Sequence, residues 1–156
     1  SLLMDSFKIV PYLPEHGDQI IASGMNDKLM AIDASYTNHR LDISEPGLSF
    51  TLLKDDEPIV AGGVIPMWQG VAEGWVLSSK QIFDYKIKAA GSIKKRLDYI
   101  CKNNNIQRLQ SAVKAEFLIG VRFAEWLGLT KEGLMKKYGL DGSDYWRMVK
   151  IYELHR

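Results

Sequence analysis

Apolar and polar positions change period several times along the chain, and each change marks an element. Phe7 to Val10 is a short apolar run followed by Pro11 and Pro14, which predicts an edge strand leading into a turn. Ile20, Ile21 and Ala22 suit a short helix over about 15–23, ended by Gly24 and Asn26. Leu29, Met30, Ile32 and Ala34 predict a second helix over 27–36, and 39–47 reads as a polar loop closing on Pro46-Gly47. Leu48 to Leu53 alternates as a half-buried strand does, and Asp55-Asp56-Glu57-Pro58 is a turn cluster before Ile59 to Trp68, so the two runs predict a hairpin. Gly62 and Gly63 inside the second run imply either a bulge or a close backbone approach. After Gln69-Gly70, Val71 to Ser78 is a third strand, with Val71, Glu73, Trp75 and Leu77 on one face.

Beyond Ser79 the period becomes helical. Ile87, Ala90, Ile93, Leu97 and Ile100 form the apolar stripe of a long helix over about 84–102, which Asn103-Asn104-Asn105 ends. The run 106–114 is strand-like, so the helix is a crossover that returns the chain to the same sheet in parallel. A helix over 115–127 then leads to Gly128, and two strands, 130–138 and 145–153, flank Asp141-Gly142. No internal repeat or coiled-coil heptad is visible.

Composition narrows the reading. A chain of 156 residues with 46% apolar and 25% charged residues can bury one core, so one domain over 4–156 is expected. Ser1-Leu2-Leu3 ahead of Met4 reads as an expression scar or an upstream extension, without the features of a signal peptide. Twenty basic against 19 acidic residues leave a charge of +1, which disfavours nucleic acid as a partner, and no apolar run approaches the roughly 20 residues that cross a bilayer. A cytoplasmic setting is expected. The single cysteine, Cys101, falls among apolar helix positions and reads as a core residue. His16, His39 and His155 are too scattered for metal spacing and read as surface or capping residues, so no metal site is expected.

The element order, together with two local runs, resembles the GNAT superfamily of N-acyltransferases. Arg122-Phe123-Ala124-Glu125-Trp126-Leu127-Gly128-Leu129 is similar to that family's late helix and the Leu-Gly-Phe step after it, with Leu129 in place of Phe. Ala72-Glu73-Gly74-Trp75-Val76-Leu77 is similar to its central fourth strand. The resemblance implies an α/β (α+β) fold: a mixed, mostly antiparallel sheet of six to seven strands, helices on both faces, and a splay between two central parallel strands. A narrower likeness, carried by 126–133, 138–145 and Trp75-Val76-Leu77-Ser78-Ser79, is to a GNAT-like branch of bacteriophages that includes internal virion or core protein A.

What the resemblance implies about chemistry is specific. Acetyl-CoA would lie between strands 71–78 and 106–114 and pass its acetyl group to an amine, of a small molecule or a protein, through a tetrahedral intermediate. Val76, Leu77, Ser78, Ser79, Lys80, Gln81 and Ile82 would hold it, the oxyanion facing strand amides near Val76 to Ser78 and the pyrophosphate facing the start of the next helix. Here the sequence departs from the family: Ser79 to Ile87 has no glycine until Gly91, and Lys80, Lys86 and Lys88 either supply charge in its place or are a solvated helix face. Glu73 either serves as the base that takes the amine proton or is an exposed strand residue paired with a basic neighbour. Ala124 stands where the family often has a tyrosine acid. These departures are compatible with a second outcome, a phage virion or assembly protein that keeps the fold and contacts other virion proteins without the cofactor.

Overall fold

The computed structural model describes residues 6–23, 45–79 and 81–153. The expected helix over 27–36, His39, His155 and Lys80 lie outside them. The described elements run β1 (Phe7–Val10), α1 (Pro14–Ala22), β2 (Ser49–Lys54), β3 (Glu57–Trp68), β4 (Val71–Ser78), α2 (Ile82–Asn103), β5 (Arg108–Lys114), α3 (Leu118–Trp126), β6 (Thr130–Met135) and β7 (Tyr145–Ile151). The sheet has seven strands in the order β1-β2-β3-β4-β5-β7-β6, and only β4 and β5 pair in parallel.

Local chemistry accounts for the boundaries. Pro14 opens α1, where a missing N–H costs nothing, and His16 Nδ1 accepts the Leu13 amide at 3.1 Å, so this histidine is a cap. Asp55 and Asp56 both have positive φ, 48° and 67°, which makes the β2–β3 connection a two-residue turn of the type whose twist matches the strands. Strand β3 therefore begins at Glu57, two residues earlier than the turn cluster implies, and Pro58 is accommodated at the register shift beside Leu52 and Leu53. Gly63 resolves the bulge-or-approach alternative: a Cβ there would run into the Leu48 carbonyl and Ser49, so the residue allows close backbone approach. Gly70, with φ of 86°, turns β3 into β4. Asn105, with φ of 54°, and the Asn104 side chain, which donates to the Ile100 carbonyl at 2.8 Å, end α2.

Two cores flank the sheet. On one face α1 covers Ala61, Trp75 and Leu77 with Tyr12 and Ile20. On the other, α2 and α3 bury Ile93, Leu97, Val121 and Ala124 against Ala72, Leu109 and Met148. Asp98 ties the second layer together: its Oδ1 accepts from Lys150 Nζ and Tyr152 OH, each at 2.7 Å, and Lys150 also donates to the Leu127 carbonyl at 3.2 Å. Burial pushes the Asp98 carboxyl upward, but hydrogen bonds from Lys150 and Tyr152, with the charges of Lys150 and Lys94, outweigh it and hold the group below its ordinary value of 3.8. A carboxyl whose folded pKa lies below its unfolded one contributes stability above the unfolded pKa and loses it as pH falls through the folded value. Unfolding free energy measured at successively lower pH should therefore decline below about pH 4, and Asp98→Asn should flatten that decline. An unchanged slope in the variant would place the acid sensitivity elsewhere.

Among the described residues no helix is long and apolar enough to cross a membrane, and no group of His, Cys, Asp or Glu could hold a metal ion.

Candidate active site

Strands β4 and β5 stay together for three residue pairs only: Val71 with Arg108, Ala72 with Leu109, and Glu73 with Gln110. From Gly74 to Ser78, β4 pairs with β3 alone. Ser111 Oγ reaches across the widening gap to donate to the Gly74 carbonyl at 3.2 Å, so the backbone groups of residue 74 point toward β5. Strand alternation then aims those of Val76 and Ser78 the same way. The Ser79 amide bonds back to the Ile59 carbonyl on β3 at 2.8 Å, which agrees with that phase. The parallel pair therefore opens just beyond Glu73, one step before Trp75, and leaves strand amides and carbonyls lining a slot.

Beneath the slot, on the α2/α3 side, lies a cavity of about 390 Å³. Ile119 and Trp126 stand at its exposed rim, each half exposed, and Leu97, Leu109, Leu127 and Leu129 line it from within the core. Among the described residues that line it, Arg122 on α3 is the single charged one.

Of the residues expected to hold a cofactor, Val76, Ser78 and Ile82 line this cavity. Leu77 does not: its side chain packs with Tyr12 and Trp75 on the α1 face. Ser79 is buried and closes the start of α2 on itself, its Oγ accepting the Gln81 amide at 3.2 Å and its carbonyl the Ile82 amide at 3.2 Å. The Asp84 amide donates to the Gln81 carbonyl at 3.0 Å, and Tyr85 leaves helical geometry, with φ of −127°. The helix thus begins at Ile82, earlier than its apolar stripe predicts, but with these amides engaged internally and the Asp84 carboxylate in its first turn. Lys88 sits over the Phe7 ring at 4.9 Å, toward the β1 edge, and Lys80 and the side chain of Lys86 lie outside what is described.

Glu73 faces the other way. Its side chain lies on the α1 face of the sheet, the same face as Trp75 and Leu77, and Arg147 Nη1 donates to Oε1 at 3.2 Å while Gln110 Nε2 donates to Oε2 at 3.1 Å. Gln110 in turn accepts from Arg108 Nε at 2.9 Å, and Arg108 forms a bidentate pair with Glu132. The hydrogen bonds that Arg108 donates to Glu132 hold the guanidinium above its ordinary value and the Glu132 carboxyl below its own. Glu73 is thus paired with a basic neighbour, as the second of its two expected readings has it, but it is not the exposed residue of that reading: packing on the α1 face leaves its side chain only 13% exposed. It also sits at the mouth of the slot, so the pairing and a role as base are compatible in position.

Cys101 is fully buried, and burial, with a smaller push from the Asp98 charge, raises its thiol to about 11. It stays protonated at neutral pH, which removes it as a nucleophile. Three contributions to the site were not visible in the sequence: Ser111, which bridges the gap, Arg147, which lies 74 positions from its Glu73 partner, and the α3 wall of the cavity.

A seven-stranded, mostly antiparallel sheet whose parallel β4–β5 pair opens mid-strand, with helices on both faces, is the GNAT acetyltransferase fold. Solved structures that match it include a GNAT-family acetyltransferase from Bacillus anthracis (TM-score 0.69, 14% identity, 93% of this chain and 94% of that one). They also include Ard1 from Thermoplasma volcanium (0.75, 11%, 94% and 98%) and ribosomal-protein-alanine N-acetyltransferase from Brucella melitensis (0.72, 14%, 93% and 99%). Identities this low establish the fold alone. No family model and no curated protein matches the sequence.

Proposed function

We propose that this chain binds an acyl-CoA thioester, acetyl-CoA being the simplest, in the β4–β5 opening and transfers the acyl group to an amine. The observation that carries the reading is the slot itself. It offers unpaired strand backbone at Val76 and Ser78, which suits the amide-bearing pantetheine arm, above an apolar cavity that opens on the face opposite Glu73. Donor and acceptor can then meet through the gap from opposite sides of the sheet.

The residues divide the work by position. The amides of Val76 and Ser78 face the thioester carbonyl oxygen, where negative charge develops on attack. An alkylamine must be neutral to attack, and for a pKa of about 10.4 reaching that form at pH 7 costs roughly 4.6 kcal/mol, so a base at the slot mouth is useful. Glu73 is placed to take that proton, directly or through water. Ala124 cannot donate one to the departing sulfur, but a thiol of pKa about 8.5 leaves as an anion. Arg122, at the rim, is a cation among the described lining residues that can meet the phosphates.

The amides tied up by Ser79 and Gln81, and the Asp84 carboxylate among them, favour a second reading: a virion or assembly protein of the phage type that keeps the fold without the cofactor. Calorimetric titration with acetyl-CoA separates the two. Binding at micromolar concentration, weakened up to about fivefold by Arg122→Ala and more at low salt than at high, is the expected result. No heat at millimolar acetyl-CoA would sink the enzyme reading and favour the structural one.

A further inference from the structure

Resting on the reading of Glu73 as the base of an acyl transfer, we infer that the accepted amine carries its own carboxylate, as a free amino acid does, and that Arg147 anchors it. Arg108 and Arg147 both lie on the α1 face of the sheet with Glu73, and they are used very differently. Arg108 is spent: its Nε donates to Gln110, and its Nη1 and Nη2 donate to Glu132. Arg147 is the more buried, its side chain 18% exposed against 28%, yet it reaches Glu73 through Nη1 alone. Among the described residues nothing accepts from its Nε or Nη2. A guanidinium is a rigid fork of N–H donors, and leaving most of them unanswered in a half-buried place is costly.

The surroundings steady that fork and leave room beside it. Because β5 lies between β7 and β4, the Arg147 side chain crosses β5 to reach Glu73, and its cross-strand partner there is the small Ala112. On the other side Arg147 is paired with Gly133 of β6, where an added Cβ would meet no atom within 4 Å. Directly paired residues share a face, so this open space lies next to Arg147. The Tyr138 ring, 5.9 Å from the guanidinium, supports the cation through its π face without using a donor. A free fork of this kind suits a carboxylate or a phosphate, and charge chooses between them. A doubly charged phosphate would bring its excess negative charge up to a neutral Arg147–Glu73 pair. A zwitterion brings one charge of each sign: its carboxylate meets Arg147 and its ammonium meets Glu73, 3.2 Å from the same guanidinium. The bound carboxylate also offsets the positive charge that keeps Glu73 ionised, which raises the proton affinity of Glu73. Glu73 takes one proton from the ammonium, and the neutral amine attacks the thioester carbonyl. The C–N bond forms as the C–S bond breaks, and the second proton lost from nitrogen ends on the departing thiolate or in water.

The test measures transfer from acetyl-CoA to free amino acids, to their carboxamides and to the matching amines without the carboxylate, with calorimetric titration of acetyl-CoA alongside. On the unmodified chain the best free amino acid should exceed its carboxamide and its amine in kcat/KM by about 10²-fold, the loss expected when a built set of charged donors is left unanswered. Arg147→Lys keeps a positive charge beside Glu73 but not the fork, and should cut that ratio about tenfold, chiefly through KM. The ratio on the unmodified chain decides the matter even if the variant folds poorly. Equal turnover of an amino acid and its carboxamide, or turnover of none of the three classes, by a chain that binds acetyl-CoA would overturn the inference and leave the thioester slot standing. Absence of acetyl-CoA binding would overturn both.

Discussion

Glu73→Gln is expected to lower kcat/KM for acyl transfer to an amine by about 10²- to 10⁴-fold, the range typical of a lost general base. The substitution keeps the size and the hydrogen-bonding reach of the side chain, and so leaves contact with Arg147 and Gln110 possible, while removing proton affinity. Its discriminating readout is the pH profile. With Glu73 as base, the remaining activity should climb with pH as free neutral amine becomes abundant, and the deficit against the unmodified chain should narrow above about pH 9. A change of less than fivefold would mean that the carboxylate serves only the ion pair with Arg147. Melting curves of both proteins guard against misreading a structural defect, because the variant leaves Arg147 without its charge partner in a position where its side chain is only 18% exposed.

Trp75→Ala should cost about 3–5 kcal/mol of stability, the largest expected loss for any single truncation in the α1 layer. The ring is 1% exposed and meets Tyr12 edge to face with centroids 5.1 Å apart. Leu77, Ile20 and Ala61 complete its surroundings, with Ile65 packed against them. For a chain of this size the loss corresponds to a Tm roughly 10–15 °C lower, measurable by calorimetry. Trp75→Phe should lose markedly less, since it keeps an aromatic edge against Tyr12. Equal losses in the two variants would show that the packing is specific to the indole. Because the backbone of Trp75 also borders the slot, ligand affinity should fall with stability in the alanine variant.

The parts of the fold that were legible are those whose signals are local. Val71–Ser78 is bounded as expected because Gly70 supplies a left-handed turn before it and the period of two breaks after Ser78. The opening beside it followed from resemblance, and its start just after Glu73 comes from the structure alone. Residues 115–117 were expected to be helical, but the Phe117 amide bonds to the Lys114 carbonyl in a turn, and α3 begins at Leu118. Strand β6 stops at Met135 because Lys137 turns the chain with φ of 56° and donates its amide to Asp144 Oδ1 at 2.9 Å. The partners of Glu73 were not legible at all: Arg147 arrives through β7, three strands and two helices later in the chain, and nothing near either residue announces the other. The same holds for the cavity, whose walls come from four elements and whose existence depends on how α3 sits over β5.

The strand order also decides how the molecule meets its own copies. In the described sheet the two outermost strands are β1, four residues long, and β6, whose pairing slips between Lys131 and Gly133. Neither is a straight, apolar template: the first is too short to recruit a neighbour, and the second carries Lys131 and Glu132 at its irregular step. A protein that keeps a gap open in the middle of its sheet thus has its margins guarded against the end-to-end strand addition that leads to aggregates.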